Sequence, residues 1–287
     1  MKIRFIINPI SGTGKQKGIE KLISKYFTDY DICYTKKSGD AKKFSAQAVK
    51  NNFDSVISVG GDGTLNECSA SLRNTNTALG VIPCGSGNGF ALHIGMNKHI
   101  ETSLKQIKNS FTKEIDTCYI NKNIFINVSG IGFDAHIAKL FSKLKTRGFI
   151  NYIKLILKEL KYKPKKYNLK YGKIEKNINA YMISFANASQ YGNNAKISPT
   201  ALIDDGKIDF VIVKDFPKWH IPNFLYKIIT GTINQSDYVE IIREKNMIIT
   251  TKNTLIHLDG ESKNEVNPIK IKIKPKSLKI LIPNEKK

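Results

Sequence analysis

The apolar positions of the first hundred residues fall into two alternating patterns. Residues 3–8, 55–59 and 79–82 are short, nearly continuous apolar runs, as expected for buried strands, and residues 31–35 read as a further strand. Between them, residues 18–27, 39–51 and a segment from Asp62 to about Arg73 predict helices. In the second of these Phe44, Ala48 and Val49 share one side. Another helix is expected over residues 100–108. Strand and helix in regular succession predict an open α/β layer with a parallel sheet. After residue 112 the character changes. Runs at 113–120, 123–128, 169–171, 178–185, 208–213, 248–249, 255–258, 269–273 and 278–282 predict many short strands, a β-rich domain built as a sandwich. The expected division is therefore an α/β domain over 1–112 and a β-sandwich domain over 113–287. Two amphipathic helices are expected inside the second part. Residues 148–161 set Ile153, Ile156, Leu157 and Leu160 among Lys154, Lys158 and Lys161, and residues 216–230 carry Trp219, Phe224, Leu225 and Tyr226. Such stripes more often face a core than a membrane.

Three of the early strands run into glycine-rich turns, and that changes the picture from fold to chemistry. The third strand ends in Gly60-Gly61-Asp62-Gly63-Thr64-Leu65-Asn66-Glu67, the first in Asn8-Pro9-Ile10-Ser11-Gly12-Thr13-Gly14-Lys15, and the fourth in Pro83-Cys84-Gly85-Ser86-Gly87-Asn88-Gly89. Glycines let backbone N–H groups approach anionic oxygens at the positive end of a helix. In a parallel sheet such turns gather at the carboxyl ends of the strands, where open α/β sheets place ligands, so a nucleotide or polyphosphate site is expected. None has the spacing of a Walker loop. Asp62 lies inside the tightest turn. A carboxylate there repels phosphate unless it holds a cation or takes a proton, both of which are tasks of phosphoryl transfer. As a bare residue it also suits a helix cap.

Composition adds less. With 46 Lys plus Arg against 24 Asp plus Glu, the chain carries a formal charge of +22, which suits a nucleic acid, an anionic membrane or a phosphorylated ligand. The lysines are spread rather than massed, as compositional drift would also leave them. Cys33, Cys68, Cys84 and Cys118 show neither zinc nor disulfide spacing. No signal segment or membrane-length apolar run is visible, so a cytoplasmic protein with peripheral membrane contact is expected.

Five motifs in order resemble the diacylglycerol kinase-like lipid kinases, the family of bacterial diacylglycerol kinases and of sphingosine and ceramide kinases. They are Asn8-Pro9 with the Gly12/Gly14 turn, the Gly60 to Glu67 signature, the Pro83 to Asn88 loop, Gly130-Ile131-Gly132-Phe133-Asp134, and His257-Leu258-Asp259-Gly260-Glu261. The resemblance spans nearly the whole chain. It implies transfer of the ATP γ-phosphoryl group to a lipid hydroxyl, with the nucleotide in a cleft between the domains. Asn8, Gly12, Thr13, Gly14, Thr35, Gly60, Gly61, Gly63, Thr64, Asn66, Glu67, Gly85, Ser86, Gly87, Asn88 and Arg147 are implied nucleotide contacts. Asp62, Asp259 and Glu261 are the implied catalytic carboxylates. One of the two aspartates is the base, Asp62 by resemblance to the sphingosine kinases, and the other positions catalytic magnesium or the acceptor together with Glu261. The Leu202 to Lys207 segment resembles a structural metal loop, with Asp205 giving a side chain and Leu202 and Lys207 carbonyls to magnesium or calcium; alone it reads as an Asp-Gly turn.

One departure concerns the acceptor. Many bacterial diacylglycerol kinases have Asn-Asp-Phe-Ala in the third loop, whereas this chain has Asn88-Gly89-Phe90-Ala91. Diacylglycerol is the first expectation and a sphingoid base or ceramide the alternative. A soluble alcohol such as NAD and a non-catalytic basic binding protein follow behind. The implied partners are a lipid substrate and anionic phospholipid at the inner membrane face, with no nucleic acid expected; a homodimer is compatible with the sequence.

Overall fold

The computed structural model describes residues 1–12, 14, 16–144 and 149–284. In chain order its elements are β1 (Ile3–Ile7), α1 (Ile19–Tyr26), β2 (Tyr30–Tyr34), α2 (Asp40–Lys50), β3 (Ser55–Gly60), α3 (Asp62–Leu72), β4 (Ala78–Pro83), α4 (Gly89–His93) and α5 (Ile100–Lys108). There follow β5 (Ser110–Ile120), β6 (Asn123–Phe125), β7 (Val128–Gly132), α6 (Phe133–Ser142), α7 (Phe149–Lys158), β8 (Lys165–Tyr171), β9 (Ile174–Ala186), β10 (Ile208–Lys214) and α8 (Ile221–Thr230). Strands β11 (Val239–Glu244), β12 (Asn246–Thr250), β13 (Leu255–Leu258), β14 (Glu261–Asn264) and β15 (Ile269–Pro283) complete the chain. Two compact units result: Met1 to Ile115 together with the chain from Lys276 onward, and Asp116 to Pro275.

The first unit is built on a parallel sheet ordered β2-β1-β3-β4, with Ile3 opposite both Tyr30 and Ser55. Strand β1 lies between two neighbours and buries all five of its residues, which is why its sequence is a continuous apolar run. Its one charge is matched by register. Arg4 stands opposite Asp31 on β2, and its guanidinium pairs with that carboxylate at 2.6 Å while stacking on Phe53. The chain starts at β1, steps outward to β2, then returns past β1 to β3. The strand order therefore reverses between β1 and β3, and a reversal of this kind opens a crevice at the carboxyl ends of the two strands.

The second unit is antiparallel. Its long strand β9 changes partners along its length: residues up to Ala180 pair with β8, and beyond it the strand runs between β7 and β10. Period-two alternation then sorts the side chains. Ile183 and Phe185 enter a core with Phe125, Tyr167, Phe210 and Ile271, while Met182 and Ala186 turn to the other face beside Phe133, Phe216 and Phe224. At roughly 1.5–3 kcal/mol per fully buried large apolar side chain, this core holds the strands together.

Several expectations need correction. The run at 278–282 was expected in the second domain, yet β15 crosses between units. Ile269 to Lys272 pair with β12, whereas Ile280 pairs in parallel with Leu79 of β4, burying Leu278, Ile280 and Leu281 in the first unit. Pro275, which lacks an N–H, and Lys276 at φ +47° mark the crossing. The first unit also continues to Ile115, past the expected end at 112. Helix α6, unexpected from the sequence, follows the glycines of β7 and buries Ala135, Ile137 and Ala138. The 123–128 run is two strands, and β11 and β14 were not expected at all. The four cysteines are free thiols. Among the described residues no helix is long and apolar enough to cross a membrane.

Candidate active site

The three glycine turns come together at the carboxyl ends of β1, β3 and β4. A Cβ on Gly85 would lie 2.5 Å from the Cα of Gly61 and 2.9 Å from Asn88 Oδ1. A Cβ on Gly12 would collide with the carbonyl of Cys84. The turns thus touch backbone to backbone, leaving a surface of peptide groups rather than side chains. Thr64 fills the space above Gly60, where a Cβ would be 2.7 Å from its Oγ1. Asn8 ties the first turn to the third strand and helix: its N–H donates to Val59 O at 2.9 Å and its Nδ2 donates to Thr64 Oγ1 at 3.2 Å.

Asp62 is the first residue of α3, where the helix dipole favours negative charge. Its Oδ2 accepts the Asn88 N–H at 2.9 Å. Asn88 is 5% exposed and sits in the left-handed region at φ +58°. Its Oδ1 accepts the Gly85 N–H at 2.8 Å and its Nδ2 donates to Gly85 O at 2.7 Å. One asparagine therefore closes the third turn on itself and delivers a backbone donor to the carboxylate of the second. The buried Gln16, which sequence reasoning missed, does the same for the first turn through Nε2, donating to Asn8 O and Ser11 O at 2.7 and 3.1 Å. Ser86 and Gly87 lie in the third turn, Gly63 and Asn66 in the first turns of α3, and Gly14 takes φ +73° in the first turn. Thr13 and Arg147 fall outside the described residues.

Glu67 lies in α3 and caps a neighbouring helix. Its carboxylate accepts the Gly39 N–H at 2.8 Å, the Ala41 N–H at 3.1 Å and the Ser38 hydroxyl at 3.1 Å, capping α2 from α3. It thereby shapes the segment that follows Thr35, whose N–H ends β2 by donating to Ile7 O. The α4 helix, which opens behind the third turn, carries His93. Burial, with Lys113 nearby, lowers its pKa to about 4, so the ring is neutral at pH 7.

In the second unit Asp259 and Gly260 form the two-residue hairpin between β13 and β14, both at positive φ. The Asp259 carboxylate accepts the Ile126 N–H at 3.1 Å and the Asn127 N–H at 3.0 Å, and its own N–H donates to Ser129 Oγ. Glu261 opens β14 opposite Leu258. Leu202, Asp205 and Lys207 are placed on one turn, where Asp205 Oδ1 accepts the Lys207 N–H at 2.9 Å and the Gly206 N–H donates to Asp116. One carboxylate and two carbonyls are hard oxygen donors, a set that fits magnesium or calcium with water completing the shell.

The same unit contains an apolar pocket. Phe133 and Ile137 of α6, Ile153 and Ile156 of α7, and Phe224 and Ile228 of α8 line it, and Asp134 reaches it from the start of α6. The two amphipathic segments read from the sequence as core or membrane faces thus wall a cavity.

The chain thus joins a parallel layer with glycine turns at its reversal point to an antiparallel β unit with an apolar pocket. The chain matches the diacylglycerol kinase catalytic domain over residues 2–120 and the YegS C-terminal NAD kinase beta sandwich-like domain over residues 127–282. It belongs to the diacylglycerol kinase-like lipid kinase family. A relative named "Diacylglycerol kinase" in Bacillus subtilis is 28% identical over 283 residues, covering 91% of this chain and 89% of its own. A Shewanella frigidimarina protein named "Probable lipid kinase YegS-like" is 27% identical, covering 88% and 84%. The crystal structure of a diacylglycerol kinase from Bacillus anthracis matches with a TM-score of 0.78 at 23% identity over 99% of this chain and 97% of that one, a likeness of fold.

Proposed function

We propose that this protein transfers the γ-phosphoryl group of ATP to the hydroxyl of a membrane lipid, with diacylglycerol as acceptor and phosphatidic acid as product. The observation that carries the reading is the apolar pocket of the second unit with a carboxylate, Asp134, among its lining residues. A site of that kind suits acyl chains with one polar group and does not suit a dinucleotide. The backbone surface formed by the turns at Gly12, Gly61 and Gly85 suits polyphosphate, because side chains are kept out of it. In this reading Asp62, beside that surface, accepts the hydroxyl proton. Asp259, whose two oxygens each hold a backbone N–H, serves as a fixed anchor together with Glu261. Bound magnesium supplies charge neutralisation for the transferring phosphoryl group.

The lipid stays in the bilayer, since each CH₂ moved to water costs about 0.8 kcal/mol, so the enzyme goes to the membrane. Trp219, Tyr226, Ile229 and Leu157 are exposed at 78, 65, 53 and 49%, on or beside the helices that line the pocket, with Lys154, Lys158 and Lys218 exposed among them. Large apolar groups next to lysines suit an anionic bilayer surface. Vesicle sedimentation tests this: binding that rises with anionic lipid and falls with salt supports it, and equal binding to neutral vesicles at every salt concentration opposes it.

The acceptor is tested by offering labelled ATP with diacylglycerol, ceramide, a sphingoid base and NAD in separate reactions. Preferential labelling of diacylglycerol is expected. Ceramide or sphingoid labelling would assign the pocket to those alcohols, in keeping with Gly89 in the third turn, and labelling of NAD alone would overturn the lipid reading.

A further inference from the structure

A buried polar cluster at the pocket lining joins residues from two of the sequence motifs. Asp134 and His257 each have side chains only 3% exposed, and they meet at 3.2 Å between Oδ2 and Nε2. The same Oδ2 accepts the Ser184 hydroxyl at 3.0 Å and the Tyr191 hydroxyl at 3.3 Å, while Oδ1 accepts the Ala135 N–H at 2.7 Å. Room for this carboxylate exists because residue 130 is glycine; a Cβ there would collide with Oδ2. Burial, and then the Asp134 charge, push the Tyr191 phenol well up, so it remains a donor.

The other ring nitrogen of His257 faces the Asp-Gly hairpin. Its Nδ1 accepts the Gly260 N–H at 3.2 Å. A backbone N–H can only donate, so Nδ1 carries no proton. The proton is on Nε2 and is given to Asp134. The contact is therefore a hydrogen bond from a neutral imidazole, with the tautomer set from both ends. One ring thus joins two residues of the pocket lining, Asp134 and, through it, Tyr191, to the turn that holds Asp259.

We propose that His257 is a positioning residue: it holds the Asp259-Gly260 hairpin through Nδ1 while Asp134 fixes its ring through Nε2, linking the acceptor pocket to the catalytic turn. This rests on the lipid kinase reading. Side-chain geometry allows the two contacts to be separated. In His257→Asn the Oδ1 atom stands near the place of Nδ1 and can accept the Gly260 N–H, with the reach to Asp134 lost. In His257→Gln the amide reaches toward Asp134 and the hairpin loses its acceptor.

The test measures kcat and lipid KM for wild type and both variants, alongside melting temperature. The expected result for His257→Gln is a kcat lower by about 10- to 100-fold, as for a misplaced catalytic group, with KM for ATP within about twofold. His257→Asn should recover most of that loss. Should the variants fold poorly, the ¹⁵N resonances of His257 in the wild-type protein give an independent reading, with the Nε2–H tautomer expected at pH 7. An active wild type whose kcat survives His257→Gln within about twofold, a kcat loss equal in both variants, or an Nδ1–H or imidazolium signal would each overturn the positioning role alone. A wild type that labels no lipid would instead remove the lipid kinase reading on which it stands.

Discussion

Replacing Gly85 with alanine perturbs the site at its tightest point. The new Cβ would lie 2.5 Å from the Gly61 Cα and 2.9 Å from Asn88 Oδ1, where carbon contacts normally sit near 3.5–4.0 Å. Neither neighbour can yield cheaply, since one is backbone and the other is held by its own bonds. The second and third turns must therefore separate by about 1 Å. That displacement strains the two bonds between Asn88 and Gly85 and the bond from the Asn88 N–H to Asp62. At about 1 kcal/mol net for each neutral bond, and somewhat more for the one to a carboxylate, stability should fall by roughly 1–3 kcal/mol. The effect on nucleotide should be larger, because every amide facing the phosphates moves at once. Losing one charge-assisted bond of about 1.5–3 kcal/mol weakens binding by roughly 10- to 100-fold. Calorimetric titration with ATP, beside a melting curve, measures both. If Gly85→Ala binds ATP within about twofold of wild type while remaining folded, the turns do not form the phosphate surface.

Other predictions follow from individual side chains. Glu67→Ala removes three acceptor contacts at the start of α2 and should cost about 1–3 kcal/mol of stability, visible in denaturant unfolding, with a smaller effect on turnover; an unchanged unfolding midpoint would refute the cap. His93, with its pKa lowered to about 4 in the fold against 6.5 for an exposed imidazole, makes a pH-dependent contribution. Folded and unfolded chains both hold it neutral above pH 6.5. Below that pH the unfolded chain takes the proton first, so stability is lost progressively down to about pH 4, on the order of 3 kcal/mol in all. His93→Gln should flatten that part of the melting-temperature profile, and parallel profiles would contradict the burial argument. Asp205→Ala or a chelator should lower the melting temperature, restored in wild type by added magnesium or calcium; a chelator without effect would remove the metal from the loop.

The first unit was largely legible in the sequence because β1, β3 and β4 are fully buried apolar runs and its turns are punctuated by glycine. Residues 100–108 and 55–59 stand almost as the apolar pattern places them. What escaped was information carried by long-range pairing. Residues 278–282 read as one more strand of a sandwich, and only their partner, β4, assigns them to the other unit. Helix α6 was hidden because its buried face is recognised only with the β9 side chains beside it. The site was legible as a set of turns but not as a set of contacts. The capping bonds of Glu67 to the start of α2 were not visible in its motif, and Gln16 carried no motif. Asp134 stood inside a quoted motif and His257 at the head of another, yet nothing in their spacing, 123 residues apart, shows that they meet.

The most direct measurement is transfer of labelled γ-phosphate from ATP to diacylglycerol in anionic vesicles, comparing wild type with Asp62→Ala. The substitution removes the carboxylate that accepts the Asn88 N–H while leaving the turn glycines in place, so the protein should stay folded with a melting temperature lowered by the loss of that bond. The expected result is label in the lipid phase with wild type and a rate lower by about 10²- to 10⁴-fold in the variant, the range that a positioned proton acceptor contributes. A folded Asp62→Ala protein that phosphorylates lipid within a few-fold of wild type would contradict the central assignment.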